Sequence, residues 1–440
     1  MKSRNPQAAP RGAGARIRAL AANRLVRQNA ILFSGGLLAG IGGFVYHAIA
    51  ARVLGPDLYG EVASLVALFA VAMAPTYILI LVLARYAATL KARSATPGIR
   101  HLMLRTSRLI LLPSLAGLVV LILLSFPGQG FLHLNSIAPM IWLSFAIVMI
   151  WQVAVPRGIL QGVQRFPSLS INLSGEMVMR TGLVGLLLAL GLGVTGSMIS
   201  LLAGAMTAYL IGIVSLRDLL KVPGETVRLR AMAGFSVTAA VGTLGILLLY
   251  NLDVILAKHY LGATGAGLYG GLNKVETILY FLTLSVSQVM FPRVVEAIAH
   301  DHHPGRLLLL SAGIMSAMGA GALLVFGVAP RLVVGILFGK SFLGASPFIF
   351  EVGVIGLALS LNNLLIQFFM AAHDRVFMPI LAGACVLEAG LILQYHSGVG
   401  AIVLDVLISL LALLAVLAVR ALVLMPRLRP EMVAEEAAVA

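Results

Sequence analysis

Eight ionisable residues interrupt long apolar runs: Glu176 and Arg180, Asp253, Lys274 and Glu276, Glu351, Glu388, and Asp405. A charge at the centre of a bilayer costs roughly 2.5–3.5 kcal/mol on insertion scales, so such residues turn towards protein or water and mark sites. Arg180 carries a planar fork that can donate two parallel hydrogen bonds to an oxyanion. Glu176 is four residues away on the same helix face, so a self-neutralising Glu176–Arg180 pair is the competing reading. Lys274 lies about ten residues into its helix, roughly 15 Å deep by helical rise. Glu276 is two residues on and faces elsewhere, which leaves Lys274 as a cavity cation unless it snorkels outward or pairs with Asp253. Asp253, Glu388 and Asp405, with Glu176, are the carboxylates that could exchange a proton or hold sodium, or simply hydrogen-bond between helices. His47 could titrate near neutral pH, although its expected place is interfacial packing. A single cysteine, Cys385, within an apolar run gives neither a disulfide framework nor a Cys-based metal site. No metal site and no catalytic residue is expected.

These residues need a scaffold, and composition names it. The 440 residues are 60% hydrophobic and 11% charged. A soluble domain carries about 25% charged residues, so an ordinary water-soluble protein is excluded. The net charge of +15 comes from Lys and Arg in short segments between apolar runs. No basic face interleaved with aromatics exists for nucleic acid. Ala48-Ile49-Ala50 resembles a signal cleavage site, but the preceding run is too long for a signal and many runs follow it.

The pattern predicts an all-α integral membrane protein with twelve transmembrane helices. The first six spans are 30–51, 62–84, 106–126, 135–155, 168–191 and 194–215. The second six are 231–256, 265–289, 306–328, 346–371, 376–395 and 398–424. This divides the chain into a basic tail (1–29), an N-lobe (30–215), a linker (216–230), a C-lobe (231–424) and a C-terminal tail (425–440). Apart from the N-terminal tail, the largest non-membrane pieces are expected at 85–105 and 216–230. With the N-terminus cytoplasmic, 25 of the 31 Lys and Arg fall on the cytoplasmic side. Only Arg52, Lys258, Arg331 and Lys340 fall outside, with Arg180 and Lys274 inside spans. That asymmetry places both termini in the cytoplasm.

The halves echo each other. Leu58-Tyr59-Gly60 follows the first helix, and Leu268-Tyr269-Gly270 follows the seventh, 210 residues later. Arg165-Phe166 meets Arg375-Val376-Phe377 at the corresponding place between helices four and five and between ten and eleven. A displacement of six helices keeps the orientation, giving two pseudo-symmetric lobes around a central cavity, a transporter's geometry.

Short motifs along residues 29 to 425 resemble the polysaccharide-transporter (oligosaccharide flippase) family. They are Asn29 opening helix one, the Leu54–Gly60 turn, Gly158-Ile159-Leu160-Gln161-Gly162 after helix four, and Asn251-Leu252-Asp253 leading into Leu261-Gly262. Phe291-Pro292-Arg293 after helix eight and Leu337-Phe338-Gly339 before helix ten belong to the same set. That family shares a superfamily with multidrug exporters and lipid II flippases. The resemblance implies export of an undecaprenyl-pyrophosphate-linked oligosaccharide across the bacterial inner membrane, for surface polysaccharides such as O-antigen or exopolysaccharide. Under it, Arg180 and Lys274 attract the pyrophosphate. Partners would be the lipid-linked substrate, the bilayer, and the glycosyltransferases and polymerase of the pathway. No cofactor is implied beyond a proton or sodium ion for coupling.

Competing readings are a multidrug or cation-coupled exporter of the same superfamily, and a membrane glycan polymerase or ligase. A cationic cavity argues against the first, and short outer connections without clustered His, Asp and Glu argue against the second. Gly36-xxx-Gly40 in helix one should permit close helix approach. Pro75, Pro113 and Pro139 should bend helices two, three and four.

Overall fold

The computed structural model describes residues 24–93, 95–220, 236–299, 304–372 and 374–425. Most of the two expected tails and most of the linker lie outside the described residues. Every regular element among the described residues is helical. Lipid enforces this, because a helix satisfies its backbone hydrogen bonds within one segment.

The first helix, α1 (Arg24–Ala72), is broken at Gly55, whose φ of 68° and ψ of 175° lie where a side chain is poorly tolerated. The chain reverses there, and Pro56 opens the second crossing. That crossing continues as α2 (Ala74–Ala92) after a break at Met73, with Pro75 in its first turn. Pro75 thus divides the second crossing, in keeping with the expected bend. The first lobe is completed by α3 (Thr96–Phe131), α4 (Ala138–Gly162), α5 (Phe166–Ala189) and α6 (Gly193–Ser215). The second lobe begins with α7 (Ser236–Tyr260), α8 (Ala263–Ala299) and α9 (Gly305–Val328). After a short helix, Pro330–Phe338, and a 3-10 stretch, Lys340–Phe348, it ends with α10 (Ile349–Ala371), α11 (Phe377–Gln394) and α12 (Val399–Leu424).

Among the described residues, eight stretches are long and apolar enough to cross a membrane, and the first, Ser34–Ala92, holds two crossings. Beyond these stretches lie α5, α7 and α8, which carry Arg180, Asp253 and Lys274. Counting them gives twelve helical crossings among the described residues, as the sequence predicts. Outward faces carry bare apolar side chains such as Leu112, Val178, Val328 and Val386. Val178 is exposed while Arg180, on the opposite face of α5, is buried.

Three expectations need correction. The 85–105 segment is no loop, since α2 runs to Ala92 and α3 starts at Thr96 with Pro97 in its first turn, where proline lacks no needed bond. Pro139 likewise starts α4 instead of bending it, whereas Pro113 lies inside α3. A Cβ on Gly36 or Gly40 would meet nothing within 4 Å. The close approach is at Gly35 and Gly42, which face Ser170 and Met177 of α5.

One end of the bundle holds the Gly55 turn and residues 132–137, 190–192, 261–262 and 395–398. The other holds 93–95, 163–165 and 216–220. They are called the Gly55 end and the Arg165 end. The lobes meet where α1 packs on α7 and α8, and α2 on α7. The two Leu-Tyr-Gly triplets face each other across this seam: a Cβ on Gly60 would lie 2.9 Å from the Gly267 nitrogen, and one on Gly270 would press on Ala63. The halves also repeat a joint with its charges exchanged. Arg165 pairs with Asp218 beyond α6, and Asp374 pairs with Arg420 of α12.

Candidate functional site

The site lies between the lobes, and its first-lobe wall is organised by a residue expected in a connecting loop. Arg157 follows Pro156 inside α4 and is buried. Its Nε donates to Asn172 Oδ1 at 2.8 Å, and its Nη2 forms an ion pair with Glu176. Asn172 in turn donates to the Ala208 carbonyl of α6. Glu176 is therefore committed to Arg157, and the alternative Glu176–Arg180 pair does not form.

Arg180 is left with a different neighbour. Its guanidinium carbon stands 4.2 Å from the centroid of the Tyr46 ring, a cation–π contact that holds the charge in place without neutralising it. The buried Nε has no hydrogen-bond partner among the described residues. Tyr46 is fixed by donating to the Ser197 carbonyl at 3.2 Å. Gly204 of α6 sits tightly behind α5, where a Cβ would come 3.1 Å from Arg180 Cβ and 3.1 Å from the Glu176 carbonyl oxygen.

His47, next to Tyr46, is buried within the protein. Its Nδ1 is 3.1 Å from the Tyr59 hydroxyl. The same device recurs in the second lobe, where the Tyr269 hydroxyl donates to Asp253 Oδ2 at 2.6 Å. Tyr59 and Tyr269 are the tyrosines of the two repeated triplets, so the duplication places one hydrogen-bonded anchor in each lobe.

Lys274 of α8 acts electrostatically on both His47 and Arg180. It is half-buried. It makes no ion pair among the described residues, although Glu276 and Asp253 lie within electrostatic range. The two expected cations, one from each lobe, thus lie within electrostatic range of each other and of His47.

The carboxylates divide. Asp253, Glu276 and Glu388, from α7, α8 and α11, are buried and within electrostatic range of one another. Asn273 bridges two of them, donating to Glu276 and, at 3.4 Å, to Asp253. Asp253 Oδ1 and both Glu388 oxygens have no partner among the described residues. Glu276, weighed in the sequence only as a neighbour of Lys274, belongs to this group. Asp405 does not, because it feels His396 near the Gly55 end.

At the Gly55 end the lobes are tied together. Arg52 donates to the Ile336 carbonyl, and Thr264 to Asp57. His259 Nδ1 lies 2.7 Å from the Phe131 carbonyl, and its ring stacks on Phe131 with centroids 4.1 Å apart.

Known structures share this architecture. An inward-facing multidrug resistance MATE family transporter of the MOP superfamily aligns with a TM-score of 0.71 at 14% identity, over 90% of this chain and 98% of that one. A eukaryotic MATE transporter gives 0.60 at 14% identity, over 93% and 99%. A MOP superfamily transporter from Pyrococcus furiosus, described as having a binding pocket of reverse polarity that suggests a different function, gives 0.57 at 13% identity, over 89% and 96%. A search of curated protein sequences finds no match. Residues 25–298 match the family described as polysaccharide biosynthesis protein, which is more than half of the chain. The chain therefore belongs to the polysaccharide biosynthesis protein family, and its fold is the one that these transporter structures share.

Proposed function

We propose that this protein flips an undecaprenyl-pyrophosphate-linked oligosaccharide from the cytoplasmic to the outer leaflet of the bacterial inner membrane, for surface polysaccharide biosynthesis. The observation that carries the reading is that Arg180 and Lys274, one from each lobe, lie within electrostatic range of each other with neither ion-paired to a carboxylate. Two such cations among packed helices, where the low dielectric strengthens their field, suit a doubly charged pyrophosphate. Because each lobe supplies one, the anion is gripped only while the lobes enclose it. Rocking about the seam would carry it from one side to the other while the polyprenyl tail stays in lipid.

The charge asymmetry of the connections makes the Gly55 end the outer one. In this state the lobes are tied at that end, which suits a transporter receiving substrate from the cytoplasm. Asp253, Glu276 and Glu388 offer a coupling site in the second lobe beside Lys274. The coupling ion there is a proton or sodium. Protonation there would change the field at Lys274 and hence its hold on the anion.

A second reading, a multidrug exporter, is favoured by the same three carboxylates, since they could pair with a cationic drug. They are 1%, 4% and 0% exposed, whereas the accessible charge is that of Lys274. The test is deletion followed by lipid extraction. An undecaprenyl-linked glycan should accumulate on the cytoplasmic leaflet, and unchanged glycolipid with altered drug sensitivity would favour the exporter.

A further inference from the structure

Tyr77 sits in the first turn of α2, which packs against α7 of the other lobe, and is 46% exposed. It is within electrostatic range of Arg157 and Glu176 in the first lobe and of Tyr280 in the second. It therefore stands at the seam, with groups of both lobes around it. In the second lobe, the Tyr250 and Tyr280 rings of α7 and α8 pack with centroids 4.9 Å apart at 55°. Tyr280 lies six residues beyond Lys274 on α8, about 9 Å by helical rise. Aromatic rings from three helices therefore gather at the seam, on the Arg165 side of Lys274.

The chemistry there differs from that of the cation pair. Arg157 and Glu176 neutralise each other, so the neighbourhood offers hydrogen-bonding groups without net charge. An aromatic ring left open to water gives up the gain of burial, and a ligand with an apolar face recovers it. The hydroxyl on each ring adds a donor and an acceptor. A pyranose has both complements, with C–H groups on one face and hydroxyls at its rim.

We propose that Tyr77, Tyr250 and Tyr280 form a carbohydrate subsite that takes the sugar rings nearest the pyrophosphate. The proposal rests on the flippase reading and adds the group that recognises the glycan itself. Flat aromatic drugs would stack on the same rings, so the test must separate sugar from other ligands.

The experiment measures binding to the full-length protein in nanodiscs with two probes. One is the glycolipid extracted from membranes of cells lacking this protein, and the other is bare undecaprenyl pyrophosphate. Tyr77→Ala should weaken glycolipid binding about three- to tenfold and leave the bare carrier within about twofold. Tyr77→Phe should keep most of the affinity, since the ring face remains. Tyr280→Ala should show the same selectivity, and thermal unfolding of each variant reports its folding. Equal loss for both probes, or no loss for either, overturns the subsite. Arg180→Ala separates the two ideas, because it should weaken both probes alike. If it changes neither while Tyr77→Ala still discriminates, the anion reading fails and the carbohydrate subsite stands. If Tyr77→Ala spares the glycolipid but abolishes binding of the aromatic cation ethidium, the rings belong to a drug site.

Discussion

Arg157 of α4 is ion-paired with Glu176 of α5, and this leaves Arg180, one turn further along α5, against the face of Tyr46 without a carboxylate partner among the described residues. One buried pair is structural, and the neighbouring cation is available.

The two arginines should respond oppositely to truncation. Removing one partner of a buried pair strands the other, at a cost of about 3–5 kcal/mol. Arg157→Ala should therefore lower the thermal unfolding temperature in detergent sharply, and Arg157→Met with Glu176→Leu should recover much of the loss. Arg180→Ala should change unfolding little and substrate binding strongly. Similar unfolding for all three variants would contradict the assignment.

Helix approach gives a second test. Gly42 packs on Met177 of α5, where a Cβ would come within 3.1 Å, while a Cβ on Gly40 meets nothing. Gly42→Leu should destabilise by about 1–3 kcal/mol, the usual cost of overpacking, and Gly40→Leu should be tolerated. The comparison is read from folded yield and unfolding temperature.

The seam can be locked. Thr264 of the second lobe donates to Asp57 of the first. In a Cys385→Ser background, Asp57→Cys with Thr264→Cys should form a disulfide on oxidation, hold the Gly55 end shut and stop export, with reductant restoring it. Full export by the oxidised protein would mean that this end need not open.

Much of this was legible in the sequence, and the failures share a cause. Arg180 and Lys274 announced themselves because a charge inside an apolar run has few explanations, and the Leu-Tyr-Gly repeat foretold two lobes. Arg157 did not, because Gly158 and Gly162 beside it read as loop. In the structure these glycines let α4 press against α2, with Gly158 on Ile80 and Leu83 and Gly162 on Ala84. The Arg157–Glu176 pair spans 19 residues and two helices, so no spacing rule could separate it from a Glu176–Arg180 pair. The Tyr59–His47 bond joins residues on either side of the Gly55 break, and the approach of Asp253 to Glu276 joins two helices, so neither follows from helical spacing. Gly36-xxx-Gly40 fits a contact pattern, but which face of α1 meets α5 is decided by the packing of the whole lobe.

The most direct test places purified protein in liposomes with the glycolipid extracted from the deletion strain and follows its appearance in the outer leaflet with a membrane-impermeant, sugar-specific lectin. Protein-dependent transfer is expected, falling at least tenfold in the Arg180→Ala, Lys274→Ala double variant while the variant remains folded. Undiminished transfer by that variant, or none by the native protein under a proton gradient of either direction, would contradict a cationic chamber that carries the pyrophosphate.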